Sequence, residues 1–189
     1  LAMADEISKA DLKRPIHYVL SYDEEVGCIG APRMVDKLAH EYPKIDAVIV
    51  GEPTDMKEVS AHKGISSFIV EITGKEAHSS RTDMGVSAIM EAITFINLIK
   101  ELGTPSKEYQ SHFAPSGTTM TIGLIEGGTA VNILAHHCKF VFDIRHEPDF
   151  NLDALIIKLY EKAQEIDASI KARAQNGGFK LIRRSSTPG

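Results

Sequence analysis

Hydrophobic and polar positions along this chain repeat with two different periods, and the order of those periods predicts its elements. Pro15 to Ser21, Pro-Ile-His-Tyr-Val-Leu-Ser, is a short β-rich run of the kind that fills a buried strand. Gly27 and Gly30 break the chain, and Met34, Val35 and Leu38 then recur three or four apart, which predicts a helix over 31–38. Asp46-Ala-Val-Ile-Val50 is a second uninterrupted apolar strand. Strand, crossover helix and strand form the right-handed unit of a parallel sheet.

Beyond Gly64 the texture changes. Ser66-Ser-Phe-Ile-Val-Glu-Ile72 alternates like a strand with one face exposed, and Val86, Ile89, Ile93 and Ile96 follow as a helical stripe. Thr118 to Ile125 and Lys139 to Ile144 predict two further strands, with Glu126-Gly-Gly-Thr129 a turn after the first. A second helix starts near Asn151, a residue suited to capping, and buries Leu152, Leu155, Ile156, Leu159 and Ile166. Ser169 to Ala174 is a candidate fourth strand. The order β-α-β-β-α-β over about 64–176 is the ferredoxin-like split unit, an antiparallel sheet with two helices on one face.

The expected fold class is therefore α/β: a ferredoxin-like βαββαβ domain at 63–177 beside a partial parallel α/β domain at 1–62, to which the motif resemblance given below assigns dimerisation and catalytic roles. Two parallel strands and one helix cannot close a sheet whose two faces both need cover. Residues 1–62 thus look like a slice of a larger domain, and 178–189 like the start of a return to it.

Composition narrows the class. The 189 residues are 43% hydrophobic and 25% charged, with 21 basic against 26 acidic side chains and a formal charge of −5. That balance argues against a disordered tail and against a basic nucleic-acid binder. No apolar stretch approaches the roughly 18 residues of a membrane span, so neither a membrane nor a nucleic acid is an expected partner. The N-terminal residues lack a charged-then-apolar signal layout, and the two cysteines, Cys28 and Cys138, lie far apart, so a reducing cytoplasm is the expected setting.

The chemical signal is acidic. Ser21-Tyr-Asp-Glu-Glu-Val-Gly27 and Val50-Gly-Glu-Pro-Thr54 each place carboxylates just past the carboxyl end of a predicted strand, the edge where open α/β sheets bind ligands. If the two strands are neighbours, about 4.8 Å apart, Glu25 and Glu52 can face one cation. Glu24 and Glu25 diverge in an extended backbone, so one can ligate while the other accepts a proton. The competing reading is a solvated acidic turn at a helix N-terminus.

Six motifs occur in order: Ser21-Tyr-Asp-Glu-Glu-Val-Gly, Gly51-Glu-Pro-Thr, Ala61-His-Lys-Gly, Ala77-His-Ser-Ser with Gly85-Val-Ser-Ala-Ile, Gly127-Gly-Thr-Ala-Val-Asn, and Asp143-Ile-Arg. Together, from Pro15 to Arg145, they resemble the zinc-dependent amidohydrolase and peptidase family of acetylornithine deacetylase, succinyl-diaminopimelate desuccinylase and the glutamate-releasing carboxypeptidases. The Gly-Glu-Pro-Thr and Ala-His-Lys-Gly pair looks most like the acetylornithine deacetylase branch. The resemblance implies Glu24 as general base, Glu25 and Glu52 as metal carboxylates, and two zinc ions that polarise an acyl oxygen and deliver hydroxide. It implies that His78 reaches across a homodimer to bind the oxyanion, that Asn132 lies near the same cross-subunit site, and that Arg145 grips a substrate carboxylate.

Read without the resemblance, His78 is an exposed loop histidine, Asn132 a turn residue, and Arg145 half of an ion pair with Asp143 or Glu147. His136 and His137 are expected at the surface, and Cys28 as a buried, inert thiol. Relatives of this pattern also carry a His-x-Asp pair upstream and a late histidine. Neither occurs here, so the chain is expected to be an internal fragment that holds zinc weakly. The implied activity of the parent is deacetylation of N2-acetylornithine in arginine biosynthesis, the alternatives being a desuccinylase, a carboxypeptidase or a non-catalytic dimerisation module.

Overall fold

The computed structural model describes residues 2–25, 28, 30–42, 44–104 and 108–189. The chain divides into two compact units, Leu1–Pro53 and Thr54–Gly189.

The first unit contains α1, Ala4–Lys9, and α2, Ala31–Glu41. The helix predicted at 31–38 is thus present, and Pro32 stands in its first turn, where a missing N–H costs nothing. The two predicted strands are not formed: residues 15–21 and 46–50 join no ladder, and Leu20, Val48, Ile49 and Val50 are 77, 75, 93 and 74% exposed. A parallel strand takes its hydrogen bonds from neighbours on both sides and its burial from helices on both faces. Nothing among the described residues of this unit supplies either.

The second unit is a four-stranded antiparallel sheet under two helices. Its elements are β1 Gly64–Thr73, α3 Ala88–Leu102, β2 Thr119–Gly127, β3 His137–His146, α4 Leu152–Arg173 and β4 Gly178–Thr187. The strand order is β2-β3-β1-β4, the split βαββαβ arrangement that the alternation predicts. In β1 every second residue is buried, and Phe68, Val70 and Ile72 join Phe140, Phe142 and Ile144 of β3 on the face beneath the helices. From above, α3 contributes Ala88, Ala92, Phe95 and Ile99, and α4 contributes Leu155, Leu159, Ala163, Ile166 and Ile170. Each large side chain so buried stabilises the domain by about 1.5–3 kcal/mol.

Local chemistry fixes the helix ends. Ser87 Oγ accepts from the Met90 N–H and Asn151 Oδ1 from the Ala154 N–H at 3.0 Å, so Asn151 caps α4 as expected. The fourth strand, however, is not at 169–174. Residues 169–173 continue α4 and Ala174 caps it, because Ile166 and Ile170 keep the buried stripe going and the chain turns only at Gln175-Asn176. A Cβ on Gly177 would lie 2.6 Å from Ile170 Cγ2 and 2.9 Å from the Thr73 oxygen. Residues 178–189, expected to begin a return to the larger domain, instead supply β4, antiparallel to β1.

The two sheet edges differ. On β2 a bulge at Gly123 shifts the register, so that Ile122 and Ile125 oppose Phe142 and Phe140 and both lie on the helix-facing side. Ile125 is nevertheless 59% exposed. Beside it runs α3, with Ile89 near Gly128 at one end and Gly103 against Met120 at the other, and its Ile93 is exposed on this flank. The opposite edge, β4, displays Lys180, Arg183 and Arg184.

Candidate functional site

The acidic turn comes first in sequence. Asp23 has φ 59°, a left-handed conformation that aspartate tolerates, and Glu24 and Glu25 follow as an exposed turn. The Glu24 carbonyl accepts from the Cys28 N–H at 3.1 Å. Val26 and Gly27 lie outside the described residues. Glu52 is also exposed, its N–H donating to the Val50 carbonyl at 3.0 Å. The paired strands that were to bring Glu25 and Glu52 to adjacent tips are absent, and among the described residues no three His, Cys, Asp or Glu side chains form a metal-binding group. Zinc takes about four ligands, imidazole or thiolate prominent among them. The described residues do not fit that requirement, and no reaction step is derived through a metal. Cys28, expected to be buried, is exposed, since no packed sheet covers it. Cys138 is the buried thiol, and burial beside Glu126 pushes its pKa up.

His78 and Asn132 are brought together. The loop after β1 and the loop after β2 meet in a short antiparallel bridge: the Ser79 N–H donates to the Asn132 carbonyl and the Leu134 N–H to the Ala77 carbonyl, both at 2.9 Å. Gly85 allows the neighbouring chain segments to close up, since a Cβ there would stand 2.5 Å from the Lys75 oxygen. The Ser80 N–H donates to His78 Nδ1 at 3.2 Å. A backbone amide can only donate, so Nδ1 is the acceptor and the neutral ring carries its proton on Nε2. His78 is thereby held in one tautomer as an exposed donor. His136 and His137 are exposed, as expected.

Arg145 lies elsewhere on the same sheet. It sits in β3 between Ile65 of β1 and Thr119 of β2, on the face away from the helices. Its Nε donates to Asp143 Oδ2 at 2.7 Å, the first of the two ion-pair readings. Among the described residues nothing engages its two terminal nitrogens. With His62, Lys63, Ile65, Ala114, Pro115 and Thr119 it lines an open depression of about 470 Å³.

Beside this depression lies a cluster that the sequence does not announce. Glu147, 8% exposed, accepts at one oxygen from Tyr109 Oη at 2.7 Å, and at the other from Ser111 Oγ and the Gly117 N–H, both at 2.6 Å. The Ser111 and Tyr109 hydroxyls, then the Gly117 amide and nearby Lys63, hold its carboxyl below the usual carboxylate range. Lys63 Nζ donates to the carbonyls of Pro115 and Gly117. Gly64, the glycine of Ala-His-Lys-Gly, leaves room for the His146 ring, which a Cβ would meet at 2.4 Å.

A βαββαβ layer with one apolar edge defines a ferredoxin-like module built for pairing. Residues 60–171 match the family described as the peptidase dimerisation domain, and the chain belongs to that family. It is similar to acetylornithine deacetylase of Myxococcus xanthus, 36% identical over 149 residues that cover 78% of this chain and 38% of the relative. It is also similar to acetylornithine deacetylase of Vibrio vulnificus, 33% identical over 165 residues covering 86% and 43%. The chain thus spans about two fifths of the length of these relatives. Among solved structures, hydantoinase/carbamoylase family amidases from Burkholderia vietnamiensis and Burkholderia ambifaria share the fold. Their TM-scores are 0.55 and 0.54, at 20 and 19% identity, covering 67 and 69% of this chain and 28 and 30% of theirs. No helix among the described residues is long and apolar enough to cross a membrane.

Proposed function

We propose that this chain is the central portion of a metal-dependent amide hydrolase that deacetylates N2-acetylornithine, working as a homodimer. The observation that carries the reading is the His78–Asn132 bridge, which presents one imidazole N–H from a rigid loop pair of a dimerisation domain. A donor of that kind is suited to a developing oxyanion. Residues 1–62 contribute to the catalytic domain, and the pairing domain begins at about 63 and includes β4, Gly178–Thr187. Glu25 and Glu52 would supply carboxylates to a zinc set completed by residues other than those described, and Glu24 would act as general base. Arg145, whose two terminal nitrogens engage no acceptor among the described residues, would receive the substrate carboxylate. The deacetylase names of the Myxococcus and Vibrio relatives support the acetyl group and ornithine over succinyl or glutamyl substrates.

Two copies would pair through the β2 edge and the adjoining α3 flank, where Ile125 and Ile93 are uncovered. The test is amine release from a panel of N-acyl amino acids by the protein expressed from its complete reading frame with Zn²⁺. Ornithine should be released from N2-acetylornithine, and Glu24→Gln should lower the rate by about 10²–10⁴-fold. An unchanged rate in that variant, or cleavage of none of the panel, refutes the proposal.

A further inference from the structure

Residues 109–117 form a strap over the end of β3, held from two sides. Glu147 binds it through Tyr109, Ser111 and the Gly117 amide, and Lys63 binds it through the Pro115 and Gly117 carbonyls. Further bonds stiffen it internally: Ser111 Oγ accepts from the Phe113 N–H at 3.2 Å, and Ser116 Oγ accepts from the Ser111 N–H at 3.1 Å. Ala114 and Pro115 of this strap form one wall of the depression that contains Arg145.

The arrangement decides which cations the depression offers. Lys63 lines it, yet two of the three protons on its ammonium are committed to strap carbonyls. Among the described residues Arg145 commits only its Nε, to Asp143. With the strap in place, of the lysine and arginine side chains that line the depression among the described residues, Arg145 keeps both terminal nitrogens uncommitted while Lys63 keeps one proton. Freed from the strap, Lys63 would offer all three to a second carboxylate.

We infer that Glu147 is a positioning residue that sets substrate class: by holding the strap it keeps Lys63 occupied, so the depression selects an acyl amino acid with one carboxylate over one with two. The inference rests on Arg145 receiving a substrate carboxylate, as proposed above, and extends it to a residue that touches no substrate.

The test compares the full chain with Glu147→Ala and with the Tyr109→Phe/Ser111→Ala double variant, which keeps the carboxylate but removes two of its donors. Lysine acylation read by mass spectrometry reports Lys63 directly. Isothermal titration with N-acetyl-L-ornithine and N-acetyl-L-glutamate reports selectivity. In both variants Lys63 should be labelled several-fold faster while Lys180, on the far edge, is unchanged. The ratio of the two affinities should move toward the dicarboxylate by about three- to five-fold, the scale of one exposed ion pair.

If Glu147→Ala loses its far-UV dichroism, the double variant carries the comparison. Lys63 labelled at the wild-type rate in a folded variant overturns the strap. Faster labelling with an unmoved affinity ratio overturns the selectivity. Wild-type protein that binds neither probe overturns the carboxylate reading of Arg145 itself, and Lys63 labelling still judges the strap separately.

Discussion

Replacing Ile125 by lysine tests the pairing edge where the structure leaves it most open. Ile125 faces the helix side of β2 but keeps 59% of its surface in water. Full burial of an isoleucine is worth about 1.5–3 kcal/mol, so covering the remaining surface yields about 0.9–1.8 kcal/mol per copy. A two-fold interface uses the residue twice, which doubles this to roughly 2–3.5 kcal/mol. At 1.4 kcal/mol per decade, losing it raises the dimer dissociation constant by about 30- to 300-fold, and two like charges brought close across the axis raise it further. Sedimentation equilibrium over a wide concentration range measures the change. Ile182→Lys on β4, also exposed at 42%, is the matched control and should leave association unchanged. Equal dissociation constants for Ile125→Lys and wild type would refute the reasoning, as would dissociation by the β4 control.

Three further outcomes are expected. Phe95→Ala removes a fully buried ring that lies 5.0 Å from Phe179 and 6.3 Å from Phe142, and urea unfolding should show a loss of about 3–5 kcal/mol. Gly64→Ala forces a Cβ to within 2.4 Å of the buried His146 imidazole and should cost about 1–3 kcal/mol in the same assay, visible as a displaced imidazole resonance. Acid should weaken the strap. Glu147 has a lowered folded-state pKa and faces Tyr109 and Lys63, with His146 and Asp149 adjacent, so the unfolded chain binds its proton first. Its contribution is complete above the ordinary carboxylate value of about 4.3 and is lost as pH falls through the lower folded value. Urea midpoints of wild type should therefore drop more steeply below that pH than those of Glu147→Gln; parallel curves would contradict the assignment.

How much of this was legible in the residues depends on where each element finds its partners. The alternation in β1 and β3 was readable because one face of each strand is buried throughout, and Asn151 announced α4 because a cap acts within one turn. The misplaced fourth strand had a readable correction. Ile166 and Ile170 continue the helical stripe, Lys171 and Arg173 suit a helix C-terminus, and Gly177-Gly178 marks the stop. Residues 15–21 and 46–50 mislead for a different reason: β propensity is only an offer of hydrogen bonds that other strands must accept. Of the candidate site, the motif resemblance assigned His78 and Asn132 to one site, and the structure brings their loops together within one chain through backbone bonds that composition does not encode. The Glu147 cluster was invisible because its donors lie 30 to 38 residues away.

The contrast between the two borders of the sheet carries a consequence for growth. A strand that joined at β2 would meet Ile122, Leu124 and Ile125, with one carboxylate, Glu126, near the strand's end, whereas one approaching β4 would meet Lys180, Arg183 and Arg184. Addition at one border only, between identical copies related by a rotation, uses up the adhesive margin of both at once. On the proposed pairing, assembly would stop at two molecules, because the borders left free are both β4, whose cations repel a further copy and oppose the open-ended stacking that threatens unguarded β-sheets.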